Sequence, residues 1–213
     1  MKSGQFFGVS TTVKAFGVLA CFLIAGVVQA GESADFHVLG GAVKFEAVTN
    51  ISALTIHGQS NQMTATLRLH KEGNSINVEN VQARIDPKTF TTGMSLRDQH
   101  LHKKVFALDN GTMPELKFTS DKLTCPDVPA GRDVTCPASG QMTLRGVTRP
   151  FEINLQVIND GKGYRITAAG ALKLSTFGIE RPCQLGVCVT DEVKLNLQFN
   201  ATEGTVARAG GYQ

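Results

Sequence analysis

Strict period-two alternation constrains this chain more than any other feature. Phe151, Ile153, Leu155 and Val157 are apolar, and the intervening Glu152, Asn154 and Gln156 are polar. Val193, Leu195, Leu197 and Phe199 repeat the pattern around Lys194, Asn196 and Gln198. Met63, Ala65, Leu67 and Leu69 share one face, as do Ile166, Ala168, Leu172 and Leu174. Shorter instances are Ile76 with Val78, Leu116 with Phe118, and Met142 with Leu144. Successive side chains of a strand point to opposite faces, so each segment has one buried and one wet side. That is the habit of antiparallel sheets; parallel strands, covered on both faces, read as continuous apolar runs. Turn residues separate the segments at Lys71-Glu72-Gly73-Asn74 and at Asn159-Asp160-Gly161-Lys162-Gly163, the second carrying the Asp-Gly hairpin signal. About eight or nine strands are expected, and so many amphipathic strands must close into a barrel or stack as a sandwich.

The start of the chain has a different character. Lys2 and Lys14 precede an apolar run from Phe16 to Val28, and Val28-Gln29-Ala30 places small residues where a signal peptidase cuts. Residues 1–30 therefore read as a secretory leader cut after Ala30, which predicts a periplasmic or otherwise exported protein. Residues 31–203 are expected to form one domain, and 204–213 a flexible tail rich in Gly and Ala. The leader removes two lysines and no acid, so the net charge of +3 falls by two. No basic block is present, which excludes a nucleic-acid role. Without tryptophan and with two tyrosines, a surface built on aromatic anchors is not expected.

Four cysteines follow the leader: Cys125, Cys136, Cys183 and Cys188. In an oxidising compartment an even count reads as disulfides. Three connectivities are open. The local one, Cys125–Cys136 with Cys183–Cys188, is favoured because each pair brackets a short turn-rich loop. The rival, a four-cysteine zinc site, fits poorly with gaps of ten, forty-six and four residues, and no metal is expected.

The stretch Met94 to Phe106 concentrates Arg97, Asp98, His100 and His102. Ser95 with Asp98 matches a helix-start signature, with Ser95 as N-cap. Leu101, Val105 and Leu108 then supply one apolar stripe. On a helix, His100 and His102 point about 200° apart, so they cannot readily share a metal. No nucleophile elbow is present, no free cysteine is predicted, and no catalytic residue or cofactor is expected. Small residues at Ala65, Ala168, Gly170 and Gly146 are expected to face inward. They would either leave volume for a ligand, which an eight-stranded barrel can hold, or permit tight curvature.

Four words in order carry a family resemblance: Arg97-Asp98-Gln99-His100-Leu101, Met113-Pro114-Glu115-Leu116-Lys117-Phe118, Gly140-Gln141-Met142-Thr143-Leu144-Arg145-Gly146-Val147-Thr148-Arg149-Pro150, and Ser175-Thr176-Phe177-Gly178-Ile179. From about Phe36 to Asn200 the chain resembles the YceI-like family of lipid- or polyisoprenoid-binding proteins. The resemblance implies an all-β fold, an eight-stranded antiparallel lipocalin-like barrel with a short helical insert. It implies a long isoprenoid or similar amphiphile held inside, for sequestration or transport. Some members look like partners of membrane b-type cytochromes, which makes such a cytochrome a candidate partner. The inward-facing set would be Leu67, Leu69, Ile76, Val78, Phe118, Met142, Leu144, Phe151, Ile153, Leu155, Ile166, Leu172, Val193, Leu195 and Leu197. Arg97 and His100 are candidate contacts to a ligand head, His100 because it belongs to the family word. The cysteines are not part of the family pattern; a bridged Cys183–Cys188 would stiffen one barrel end and narrow its opening. The alternatives are an accessory protein docking to a membrane redox complex and an enzyme acting on an amphiphile. Oligomeric state is left open.

Overall fold

Eight long strands succeed one another around a closed ring in the computed structural model, which describes residues 33–51, 53–72 and 75–204, apart from the side chains of Leu39 and Glu72. The expected leader, its cut after Ala30 and residues 205–213 of the expected tail lie outside the described residues. In chain order the strands are β1 (Ser33–Thr49), β2 (Thr55–Glu72), β3 (Ser75–Ile85), β4 (Leu116–Pro126), β5 (Asp133–Leu144), β6 (Val147–Asn159), β7 (Tyr164–Lys173), the two-residue β8 (Cys183–Gln184) and β9 (Val187–Glu203). Each pairs antiparallel with its neighbour, and β9 pairs with both β7 and β1. The β1–β9 ladder closes the ring, so neither strand is left as an edge. β8 stands outside the ring and pairs only with the start of β9. Gly204, assigned to the tail on sequence, still donates its N–H to Asp35 O at 2.9 Å.

Alternation holds within strands but changes phase at bulges. In β1, Phe36 and Val38 are buried ahead of Gly40, and Val43, Phe45 and Ala47 after it. Gly40 has φ of 73°, and the register with β2 slips on either side of Gly41. An inserted residue turns the following side chains to the other face, which is why β1 shows no single alternating run in the sequence. β3 does the same at Asn80, with φ of 53°, so that Val78 and Val81 both face the interior.

The ring has one weak seam. β4 and β5 share only three paired positions, Lys117 with Thr143, Phe118 with Met142, and Thr119 with Gln141. Beyond them Ser120 Oγ donates to Ser139 O at 2.8 Å, and the Cys125–Cys136 disulfide joins the separated strands at a Cα spacing of 5.5 Å. Pro137, which has no N–H, sits in this stretch of β5, a position proline tolerates where no ladder bond is required. The second bridge, Cys183–Cys188, closes the β8–β9 hairpin. The favoured local connectivity is the one present.

Two expectations need correction. Gly146 does not face inward: Arg145 and Gly146 have φ of 51° and 75° and form the tight β5–β6 turn, where positive φ at both positions matches the twist of the flanking strands. Gly170 does face inward, against Ile153 and Phe151. The helix is also opened differently. α1 (Ser95–His100) has Met94 at its N-cap with no side-chain cap bond, and a π-helical turn, Leu101–Phe106, continues it. The turn closes with Ala107 N donating to His102 O at 2.9 Å, so the helix ends before Leu108. Phe106, not Leu108, is the buried residue.

The Cys125→Ser, Cys136→Ser double variant is expected to lose about 3 kcal/mol of unfolding free energy, and the Cys183→Ser, Cys188→Ser pair about 2, from the lengths of the loops closed. Urea unfolding checks both, and only the first should speed amide exchange in β4 and β5 beyond Thr119.

Candidate functional site: the barrel cavity

The inward faces do not meet at the centre. They enclose a cavity of about 560 Å³, within the range of small-molecule sites. All fifteen residues expected to face inward, from Leu67 to Leu197, lie on its wall. Leu67, Leu69, Leu155, Leu195 and Leu197 are only partly buried although they point inward; what they face is the cavity. Val43, Phe45, Ala47, Val81, Ala83 and Ile85 also line it. These six were hidden by the phase changes of β1 and β3, and a Gly-Gly pair within an apolar run is the one signal that marked the first.

The two ends of the barrel differ. At one end lie the end of β2, the start of β3, and the β4–β5 and β6–β7 connections, and the 126–132 loop folds across the opening. Val128, 2% exposed, presses into the cavity. Asn159 Nδ2 donates to Val128 O and Gly131 N to Asn159 O, while Lys71 pairs with Asp127 at 2.7 Å. Tyr164 packs on Phe36 at 5.6 Å. Burial, and then the Asp127 carboxylate, push its hydroxyl above the usual phenol range, so it stays neutral. This end is a floor.

At the other end stand the β1–β2 turn, the helical insert and the β8–β9 hairpin. Here the wall includes Met94 and Leu96, 55% and 59% exposed. This end is the mouth. Polarity is segregated accordingly: apart from Tyr164 and the bridged cysteines, the polar side chains on the wall are Thr92, Arg97, His100, Lys104, Lys117 and Gln184, all at the mouth.

The insert is fastened from several sides. Gln59 and Thr91 exchange two backbone bonds of 2.9 Å. Phe90 is buried between Phe45 and Phe106, with ring centroids 6.1 and 5.4 Å away. His102 Nε2 donates to Phe90 O at 3.0 Å, because a carbonyl can only accept. Asp98, placed by the sequence pattern in a capping role, instead reaches back to the preceding loop. It accepts from Thr91 Oγ1 at 2.7 Å, and from Thr92 N and Oγ1 at 2.6 Å each. Burial pushes the Asp98 carboxyl up, but the bonds from Thr92 and Thr91, with His102 nearby, outweigh it and hold it below the usual carboxylate range.

So fixed, the helix turns Arg97, His100, Leu101, Lys104 and Val105 to the cavity and His102 away from it. Arg97 and His100 are thus together at the mouth. Lys104 joins them and was not singled out on sequence, although its spacing from Arg97 and His100, at i+7 and i+4, marks one helix face. Among the described residues, no group of three or more His, Cys, Asp or Glu could hold a metal ion.

The YceI-like domain model matches residues 30–201. The chain belongs to the YceI-like domain family. This YceI-like chain is also 30% identical over 144 residues to UPF0312 proteins of Pseudomonas savastanoi pv. phaseolicola and Pseudomonas syringae pv. syringae, covering 63% of this chain and 69% of each relative. Its fold matches a polyisoprenoid binding domain from Saccharophagus degradans with a TM-score of 0.58 at 13% identity, covering 81% of this chain and all of that one. It matches Burkholderia cenocepacia BcnA with a TM-score of 0.57 at 20% identity, covering 75% and 96%. The lipocalin-like closed barrel expected from the sequence is therefore the fold of this YceI-like chain, and the helical insert is part of it.

A lowered carboxylate pKa stabilises the fold above the unfolded value, and that contribution is lost as pH falls through the folded value. Asp98→Asn is therefore expected to cost about 1 kcal/mol at pH 7. The difference from the unsubstituted protein should shrink below about pH 3.9; urea titrations at pH 7 and pH 3 would show it.

Proposed function

We propose that this protein holds a long apolar, isoprenoid-like molecule inside the barrel, tail toward the floor and head at the mouth, for sequestration or transport. One observation carries the reading: the cavity runs from mouth to floor between aliphatic and aromatic walls, and its cationic side chains stand only at the mouth. Burying an extended hydrocarbon gains about 25 cal/mol per Å² before ordering costs. Arg97, with its planar fork, suits a phosphate or carboxylate head, and Lys104 and His100 supply further donors. The Saccharophagus neighbour, described as a polyisoprenoid binding domain, supports the same ligand class. Two disulfides suit an oxidising compartment, which supports export to the periplasm.

Native mass spectrometry before and after organic extraction tests the proposal. A removable excess of lipid mass is expected, and an empty barrel that takes up no long-chain isoprenoid on incubation would sink it. Leu197→Trp fills the cavity from mid-wall, so it should cut retained ligand by about ten-fold while leaving the melting temperature unchanged or higher. Arg97→Ala should weaken an anionic-headed isoprenoid by about ten-fold relative to the uncharged alcohol of equal length.

A further inference from the structure

The large apolar side chains that stand exposed among the described residues are Val48, Ile51, Leu54, Met94, Leu96 and Leu185. All six belong to the mouth end: Val48 at the close of β1, Ile51 and Leu54 in the β1–β2 turn, Met94 and Leu96 at the start of the helical insert, and Leu185 at the tip of the β8–β9 hairpin. The floor end has none of them. Scattered exposed leucines need no explanation, but a cluster confined to one end marks an interaction surface.

Leu185 is the most telling. It is 96% exposed and has φ of 51°, followed by Gly186 at 81°. A two-residue hairpin turn with both φ positive favours Asn-Gly, and leucine is disfavoured there. The chain thus places a strained, fully exposed leucine where an asparagine would be both more soluble and easier to fold. The tip is also held rigidly. Cys183–Cys188 closes the hairpin. Asn50 binds it from the neighbouring turn: Asn50 N donates to Cys188 O at 2.9 Å, Asn50 Nδ2 to Gly186 O at 3.0 Å, and Cys188 N to Asn50 Oδ1 at 3.0 Å. Ile51 follows directly and Leu54 three residues later, so the two tips form one apolar ridge beside the mouth.

Charge at this end is complementary to an anionic surface. The acids are mostly engaged: Asp98 by Thr91 and Thr92, Asp109 by Arg145 at 3.3 Å, Glu115 by Lys117 at 3.9 Å, and Asp191 by Ser175. Glu180 and Glu192 are the exposed exceptions. Arg97, Lys103 and Lys104 meet no acidic partner within the described residues, and Lys103 and Lys104 are exposed. An aliphatic ridge flanked by free cations, around an opening into an apolar cavity, fits the headgroup region of a bilayer, where apolar side chains enter the acyl boundary and cations meet lipid phosphates.

We propose that the barrel docks mouth-first on an anionic lipid bilayer, with Leu185, Ile51 and Leu54 inserted and Lys103 and Lys104 against the phosphates. The inference rests on the carrier reading above: a ligand of that class resides in membranes, and docking lets it pass into the cavity without crossing water.

Flotation with vesicles tests docking separately from ligand retention, because Leu185, Ile51 and Lys103 do not line the cavity. The purified protein should bind vesicles of equal parts phosphatidylcholine and phosphatidylglycerol, and bind phosphatidylcholine alone more weakly. Leu185→Asn relieves the turn strain, so it should fold at least as stably, yet bind about ten-fold more weakly. Lys103→Ala should lose about five-fold on the anionic vesicles alone. Both variants should keep the lipid mass seen by native mass spectrometry. Vesicle binding by an empty barrel would support docking and overturn the carrier reading. Retained lipid without vesicle binding, or binding unchanged in Leu185→Asn, would overturn docking. So would a sedimentation-detected dimer that Leu185→Asn dissociates without any vesicle binding, since the ridge would then join two copies of the chain.

Discussion

The ladder between β1 and β9 is the contact on which everything else depends. Eight amphipathic strands in an open sheet would expose two edges and spread their apolar faces to water. Pairing Val43 with Leu197 and Phe45 with Leu195 closes the ring between the two ends of the domain. Closure turns eight half-wet faces into one enclosed interior, and an eight-stranded ring is just wide enough to leave space along its axis. The cavity is thus a consequence of strand number and closure.

A hollow barrel loses the packing that stabilises a filled core, and this chain compensates at its weakest places. The β4–β5 seam, short of ladder bonds, carries one disulfide; the projecting β8–β9 hairpin carries the other. The 126–132 loop, pinned by Asn159, turns one end into a floor, and the Phe45–Phe90–Phe106 stack seats the helical insert at the other. The mouth is therefore framed by rigid pieces, and its polar groups are held in place without being buried. Cations there stay hydrated, whereas the same charges half-way down the aliphatic wall would be costly.

Arg97, His100 and Lys104 owe their position to the ties behind them. Asp98 is turned away from the cavity by three hydrogen bonds, and His102 by its bond to the Phe90 carbonyl. A cluster that reads as reactive in one dimension is divided in three: two residues fasten the helix, and three face the opening.

The fold class, the inward faces of β5, β6, β7 and β9, and the local disulfide pairing were legible in the sequence, because each depends on spacing within a short segment. Alternation assigned Phe151 to Val157 and Val193 to Phe199 to the interior with no tertiary information, since side-chain direction along a strand is set locally. Three things were settled only by tertiary structure. The phase changes at Gly40 and Asn80 arise from register against a neighbouring strand, so the inward roles of Val43, Phe45 and Val81 were invisible. The true partner of Asp98 is a loop held in place by β2, so the cap inferred from Ser95 was wrong. The gathering of Ile51, Leu54, Met94, Leu96 and Leu185 around one opening joins segments more than a hundred residues apart in the chain, which only ring closure brings to the same end.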